Sequence, residues 1–408
     1  MKHTTLVACA IVAVCAAANA QIALTGGTIY TSPSEDPIAN GVVVIRDGRI
    51  AAVGRSGSVR APRGVPRIDC KGLTIVAGFW NSHVHFGEKN WKEAAMTPRA
   101  ELAGHIERML TRYGFTSVFD LGSPLENTKR IRERLESREI PGPRIRTTGD
   151  MLLGKGFYPP ADFLKSMGWT PVVPPPEVTT AEEALRTSKE RLDAGADGLK
   201  FYAASAFTPF ATLPDDMIRA IVGEAHRRGK PAFAHPQSLD GLKAAVAGGV
   251  DVVAHTTPPS GVWDDALIAE MRQKHIAVIP TLKLWTVLLR DRPALRDERT
   301  RNNLAQLRAW LAADGVVLFG TDVDAGMEDF DTAGEFALMR EAGMTHRQIL
   351  ASLTTAPAEK FGDTARLGRI APGLVADLVV LNGDPSRDVR AFADVRYTIR
   401  DGKIIYRK

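Results

Sequence analysis

Cysteine is almost missing from this chain, with three in 408 residues. Cys9 and Cys15 fall within the first twenty positions, so a chain without that segment keeps one thiol, Cys70, and can form no intrachain disulfide. Blocks of one charge are also missing. The 52 basic and 47 acidic residues leave a net charge of +5, yet no Lys/Arg run extends beyond a few residues, which argues against a nucleic-acid partner. No G-x-G-x-x-G opens a helix after the first apolar strand, which disfavours a doubly wound dinucleotide-binding sheet. What remains is ordinary: 44% hydrophobic and 24% charged residues exclude a disordered chain, a coiled coil and a collagen-like repeat.

The amino terminus differs from the rest. Lys2 precedes an apolar run from Leu6 to Ala18, closed by Ala18-Asn19-Ala20, a small-x-small cleavage pattern. At about 13 residues the run is short for a membrane crossing. Residues 1–20 therefore read as a signal peptide cleaved before Gln21, and the protein as exported, periplasmic or secreted, with no stable membrane anchor. Val14 stands where a lipoprotein would need a small residue before Cys15.

Short β-like runs follow: Ile22 to Ile29, Gly41 to Arg46 and Arg49 to Val53, with Asp47-Gly48 as a hairpin turn. The far end has the same texture in Ala376 to Leu381, Val395 to Arg400 and Lys403 to Tyr406, turning at Asp401-Gly402. Neither end has enough strands for a stable sheet alone, so residues 21–75 and 367–408 are expected to pair into one small β-sandwich. Between them, in 76–366, apolar runs alternate with amphipathic helical stretches. The runs are Leu73 to Phe79, Thr116 to Leu121, Arg144 to Thr148, Gly198 to Tyr202, Pro231 to Ala234, Val250 to Ala254, Ile276 to Leu282 and Val316 to Phe319. Continuous apolar strands in repeated βα units predict an α/β fold, a (β/α)8 TIM barrel.

The chemistry collects at the ends of those runs. The first leads into Asn81-Ser82-His83-Val84-His85, and strand geometry points His83 and His85 to one side. An H-x-H alone could equally be two polar residues at a strand end. The fifth run, however, ends at His235, the sixth at His255 and the eighth at Asp322, all at carboxyl ends, where barrel active sites are built. Imidazole and carboxylate donors suit zinc and similar divalent ions. Lys200, in the fourth run, is out of place there, because an ammonium beside a dication is repelled; a snorkelling rim lysine is its other reading.

Val76-Ala77-Gly78-Phe79-Trp80-Asn81-Ser82-His83-Val84-His85, Gly195 to Lys200, Ala232 to His235, Val252 to His255, Phe319 to Asp322 and Gly373 to Leu378 together resemble the metal-dependent amidohydrolase superfamily, in its imidazolonepropionase-like and prolidase-like branch. The resemblance spans the whole chain after residue 20. It implies two divalent ions, zinc being the expected metal, and a carbon dioxide-derived carbamate on Lys200 that bridges them. It also implies that His83, His85 and Asp322 hold the first ion and His235 and His255 the second. Two such dications acidify a bridging water and polarise a carbonyl, and Asp322 would serve as general base and then general acid. Tyr202 and Tyr158 are candidate partners for the substrate carbonyl, packing being the alternative for both. Deaminase-like members carry a catalytic glutamate shortly after the fifth-strand histidine; here Pro236-Gln237-Ser238 follows, so hydrolysis of small amide substrates, peptides or N-acyl amino acids, is the expected reaction. An esterase, lactonase or xenobiotic hydrolase using the same centre is the alternative, and a catalytically silent binding relative the alternative of another class.

The aromatic, proline-rich segment 151–179 is expected to be either a substrate lid or a packing loop that could join a homo-oligomer. Asp324, Glu328, Asp329 and Asp331 could receive a cationic substrate group or cap a helix. His105, His226, His275 and His346 read as surface or helix-cap residues.

Overall fold

The computed structural model describes residues 21–87, 91, 93–158, 162, 177–205, 211–323 and 330–408. The expected signal peptide, most of segment 151–179, and Asp324, Glu328 and Asp329 lie outside the described residues.

Strands β1 (Gln21–Ile29), β2 (Ile38–Arg46) and β3 (Arg49–Arg55) form an antiparallel meander. Its β2–β3 turn places Asp47 at φ 52° and Gly48 at φ 74°, the two left-handed residues of a type I′ hairpin. Strands β4 (Arg67–Asp69) and β5 (Thr74–Ala77) lie parallel to opposite halves of β1.

Two parallel sheets follow. The first contains β6 (Phe79–Val84), β7 (Phe115–Asp120) and β8 (Arg144–Thr147). After the small parallel pair β9 (Leu153–Gly154) and β10 (Glu177–Val178) comes the second. It runs β11 (Leu199–Tyr202), β12 (Ala232–His235), β13 (Val252–Ala254), β14 (Ala277–Ile279) and β15 (Val316–Val317). Hydrogen bonds join the two sheets at both margins. Asp197 N donates to Thr147 O (2.7 Å) and Leu152 N to Lys200 O (2.8 Å), while Ser82 N donates to Phe319 O (2.8 Å) and His85 N to Val323 O (2.9 Å).

The chain ends with β16 (Leu378–Leu381), β17 (Val395–Arg400) and β18 (Lys403–Arg407), and β16 pairs antiparallel with β5. Both ends of the protein thus share one eight-stranded sheet. Side-chain alternation sends its two faces into different cores: Leu378, Val380, Ile75 and Ala77 join Val43 and Ile45 in the sheet's own core, whereas Val379, Leu381 and Val76 join the core of the parallel sheets.

The apolar run Leu73 to Phe79, expected as one strand, is two. It breaks at Gly78, so Val76 and Ala77 belong to the terminal sheet and the first parallel strand starts at Phe79. Gly78 N donates to Asp377 O (2.8 Å), and a Cβ at Gly78 would fall 2.3 Å from Thr116 Oγ1, so only glycine permits this junction. The terminal sheet also holds the amino ends of the parallel strands. Arg144, opening β8, pairs with Asp377 and Asp401, and Arg400 donates to Gly142 O (3.0 Å). The carboxyl ends, which carry the histidines, stay clear of it.

Candidate metal centre

Within β6, Asn81 ties His83 to Thr321. Its Oδ1 accepts from His83 N and Thr321 N, each at 3.2 Å, and its Nδ2 donates to Thr321 Oγ1 at 2.7 Å. Asp322 then adopts φ 57° and donates its N–H to His83 O (2.8 Å), which turns its carboxylate toward the histidines. Gly320 makes the approach feasible, since a Cβ there would lie 2.9 Å from that of His83.

Asp322 Oδ1 sits 2.9 Å from His83 Nε2 and 2.8 Å from His85 Nε2, and the two ring nitrogens are 3.2 Å apart. His255 Nε2 approaches the other oxygen, Oδ2, at 3.4 Å. The imidazole of His255 contacts those of His83 and His235, each with centroids 4.8 Å apart. His235 in turn lies against Tyr202, and its Nε2 faces Gln237 Oε1 at 2.7 Å. Lys200, in the middle of β11, is 2% exposed, and its ammonium group has no hydrogen bond or ion pair among the described residues.

Burial sets the protonation states. It lowers the His83 imidazole to about 3, assisted by the nearby Lys200 charge and opposed by Asp322. It lowers His235 to about 4, again with Lys200, and carries His255 well below its ordinary value. Burial also brings the Lys200 ammonium down to about 8, against the pull of Asp322 and Asp120. At Asp322 burial works the other way, but His83 and His255 and the hydrogen bonds from His83 and His85 prevail and hold the carboxyl well below its usual range. The Tyr202 phenol is pushed up by burial, then by Asp322 and Tyr158, so it remains a hydroxyl donor. Neutral imidazoles and an ionised carboxylate are the states in which these groups bind cations.

The sequence profile of the amidohydrolase family matches residues 74–405. The chain belongs to the amidohydrolase family. It is 24% identical to an ochratoxinase of Aspergillus niger over 416 residues, which cover 90% of this chain and 83% of that protein. Solved structures of similar fold include a Xaa-Pro dipeptidase with methionine bound in its active site, at a TM-score of 0.79 and 22% identity over 95% of this chain and 100% of that one. Another is a prolidase complexed with N-methylphosphonate-L-proline, at a TM-score of 0.76 and 26% identity over 95% and 100%. This amidohydrolase is a metal-dependent hydrolase of carbon–nitrogen bonds.

The donor set fits a divalent ion. His83, His85 and Asp322 each offer a ligand atom, all within 4.8 Å of one another. Donors bound tetrahedrally at about 2.0–2.2 Å stand roughly 3.4 Å apart, so the 2.8–3.2 Å spacing here requires only a slight widening.

Of the amidohydrolase's expected site residues, His83, His85, His255 and Asp322 are in direct contact, with His235 and Tyr202 adjoining through ring contacts. Tyr158 is near enough to Tyr202 to influence its ionisation. Asp331 is a helix cap, accepting from Ala333 N at 2.9 Å. His105 is not the surface or cap residue expected of it: it is 8% exposed within the helix Arg99–Met109, its ring 5.6 Å from Trp91.

Sequence reasoning missed Asp120. At the end of β7 and 0% exposed, it accepts from Ser123 Oγ (2.5 Å), Thr147 Oγ1 (2.6 Å) and Thr128 Oγ1 (3.1 Å), and it stands 4.0 Å from His85 Nδ1. A carboxylate closing an apolar strand was its one visible signal.

Proposed function

We propose that this amidohydrolase is a binuclear enzyme that hydrolyses dipeptides or N-acyl amino acids. The observation that carries the reading is the meeting of His83, His85 and Asp322 beside His255, His235 and a buried Lys200 whose ammonium has no hydrogen bond or ion pair among the described residues. His83, His85 and Asp322 would hold one ion and His235 and His255 the other, zinc suiting this nitrogen and oxygen set. Carbamylation would turn Lys200 Nζ into an anionic oxygen donor shared between them; its lowered ammonium pKa of about 8 supports this, because only the free amine reacts with carbon dioxide. We read the two parallel sheets as one closed (β/α)8 barrel that begins at Phe79, not at residue 76, and runs to 366, supported by the hydrogen bonds at both margins, and the strands of 21–77 with 367–408 as the second domain. Residues 1–20 we read as an export signal, on their sequence pattern.

The chemistry supplied by bound ions is polarisation of the scissile carbonyl and acidification of a water. Asp322, ionised, accepts the proton of the attacking water and returns it to the amine nitrogen as the carbon–nitrogen bond breaks, so the amine leaves neutral. Tyr202, kept protonated, can donate its hydroxyl to the substrate carbonyl as negative charge grows there. The similarity to an ochratoxinase supports a second reading, a xenobiotic hydrolase using the same centre.

A screen of dipeptides and N-acyl amino acids, run with metal analysis of the same preparation, tests the proposal. Turnover of a subset with two ions per chain supports it. Fewer than one ion per chain after zinc supplementation removes the binuclear reading, and turnover of lactones or phosphotriesters alone removes the substrate class.

A further inference from the structure

His255 directly follows β13, and its Nδ1 lies 2.7 Å from Thr281 Oγ1. Thr281 is 0% exposed and holds φ 44°, ψ 50°, a left-handed conformation that a β-branched residue adopts only when its surroundings impose it. The next two residues show what imposes it. Leu282 N donates to Glu335 Oε1 at 2.9 Å and Lys283 N to Glu335 Oε2 at 2.6 Å, so one carboxyl group with both oxygens engaged clamps two consecutive amides. Glu335 is 1% exposed and belongs to the helix Thr332–Glu341, which follows the strand end bearing Asp322. From the other side, His255 N donates to Ile279 O at 3.0 Å, two residues before Thr281.

We infer that Thr281 and Glu335 are positioning residues for the second ion: Glu335 holds the Thr281 turn, and Thr281 holds His255 with Nε2 facing the centre. An imidazole that binds a cation through Nε2 carries its proton on Nδ1, and a fixed acceptor at Nδ1 selects that tautomer and ring angle. Thr281 Oγ1 is that acceptor. The Nε2 lone pair then faces Asp322 Oδ2, 3.4 Å away. His83 offers the contrast, its buried Nδ1 having no hydrogen-bond partner among the described residues; Asn81 and Asp322 fix it through its backbone instead.

The inference rests on the binuclear reading above, and one titration separates their fates. Full-length protein loaded with zinc is titrated with a chelator while retained metal is counted, for the wild type, Thr281→Val, Thr281→Ser and Glu335→Gln. Valine preserves shape and removes the hydroxyl; serine preserves the hydroxyl. The expected result is that Thr281→Val releases its second ion at about a 10–100-fold lower chelator concentration, that Thr281→Ser stays close to wild type, and that Glu335→Gln weakens the same ion. Release of the first ion and the unfolding midpoint of the metal-free chain should match wild type in Thr281→Val, which a merely structural defect would not allow. Two ions in the wild type, with an unchanged second release in Thr281→Val, overturn this inference alone, as does Thr281→Ser behaving like valine. A wild type that holds only one ion overturns the binuclear reading and this inference with it.

Discussion

Tyr202 lies flat against His235, ring centroids 4.2 Å apart and planes 13° from parallel. In the proposed mechanism the phenol acts on the centre in two separable ways, through its face on the imidazole and through its hydroxyl. Tyr202→Phe keeps the first and removes the second. We expect kcat to drop about 10–1000-fold, the range for losing a transition-state donor, with metal content unchanged; Tyr202→Ala should lose metal as well. Steady-state kinetics with metal analysis checks this, and a Phe variant at full kcat removes the hydroxyl from the reaction.

The proposed carbamate on Lys200 makes metal uptake depend on carbon dioxide. Reconstitution of metal-free enzyme with zinc is expected to quicken as bicarbonate is added at fixed pH, and Lys200→Arg, whose guanidinium stays protonated, should recover neither metal nor activity. A reconstitution rate indifferent to bicarbonate, with an arginine variant that still turns over, would exclude the carbamate.

Glu224 is pulled down to about 2, chiefly by hydrogen bonding from Arg227, then by Arg228, with burial opposing. A depressed folded-state pKa means that its stabilisation is present above the ordinary carboxylate value and fades as pH falls toward about 2. Since both arginines are partly exposed, screening keeps this stabilisation below about 1 kcal/mol. Glu224→Gln should unfold at a lower temperature than wild type at pH 6, and the difference should close by pH 2. Unfolding midpoints across that range test the sign; a difference that grows with acid contradicts it.

Arg144 joins the foot of β8 to the terminal sheet through Asp377, which is 4% exposed, and Asp401. Arg144→Met leaves the Asp377 carboxylate buried without a counter-ion, a change that costs about 3–5 kcal/mol. The expected outcome is a lower unfolding midpoint with zinc content retained at low temperature, because the site lies at the opposite strand ends. Replacing Asp377 and Arg144 together by apolar residues should recover much of the loss, as no charge is then stranded. A calorimetric comparison of single and double variants decides it.

Much of the centre is legible along the chain because its members share one local property. His83, His85, His235, His255 and Asp322 each stand where an apolar strand ends, so each is visible in its own few residues. The hairpins at Asp47-Gly48 and Asp401-Gly402 are legible for the same reason, both turns showing the two positive φ angles that their residues favour. The run Leu73 to Phe79 misleads, because the change of sheet at Gly78 answers to Thr116 and Asp377, remote in sequence. His105 misleads in the same way, since its ring packs on Trp91, which lies outside its helix.

By itself the sequence determined the strand periodicity, the turns and the set of groups able to bind cations, all of which depend on near neighbours and on side-chain chemistry. Tertiary structure alone decided that Asp322 reaches His83 and His85 together, that the Lys200 ammonium is left buried with no hydrogen bond or ion pair among the described residues, and that Glu335 and Thr281 stand behind His255. Those relations pass between separate strand ends brought together by packing. A glutamate in a helix or a threonine after a proline carries no local mark of what it will face once the strands align.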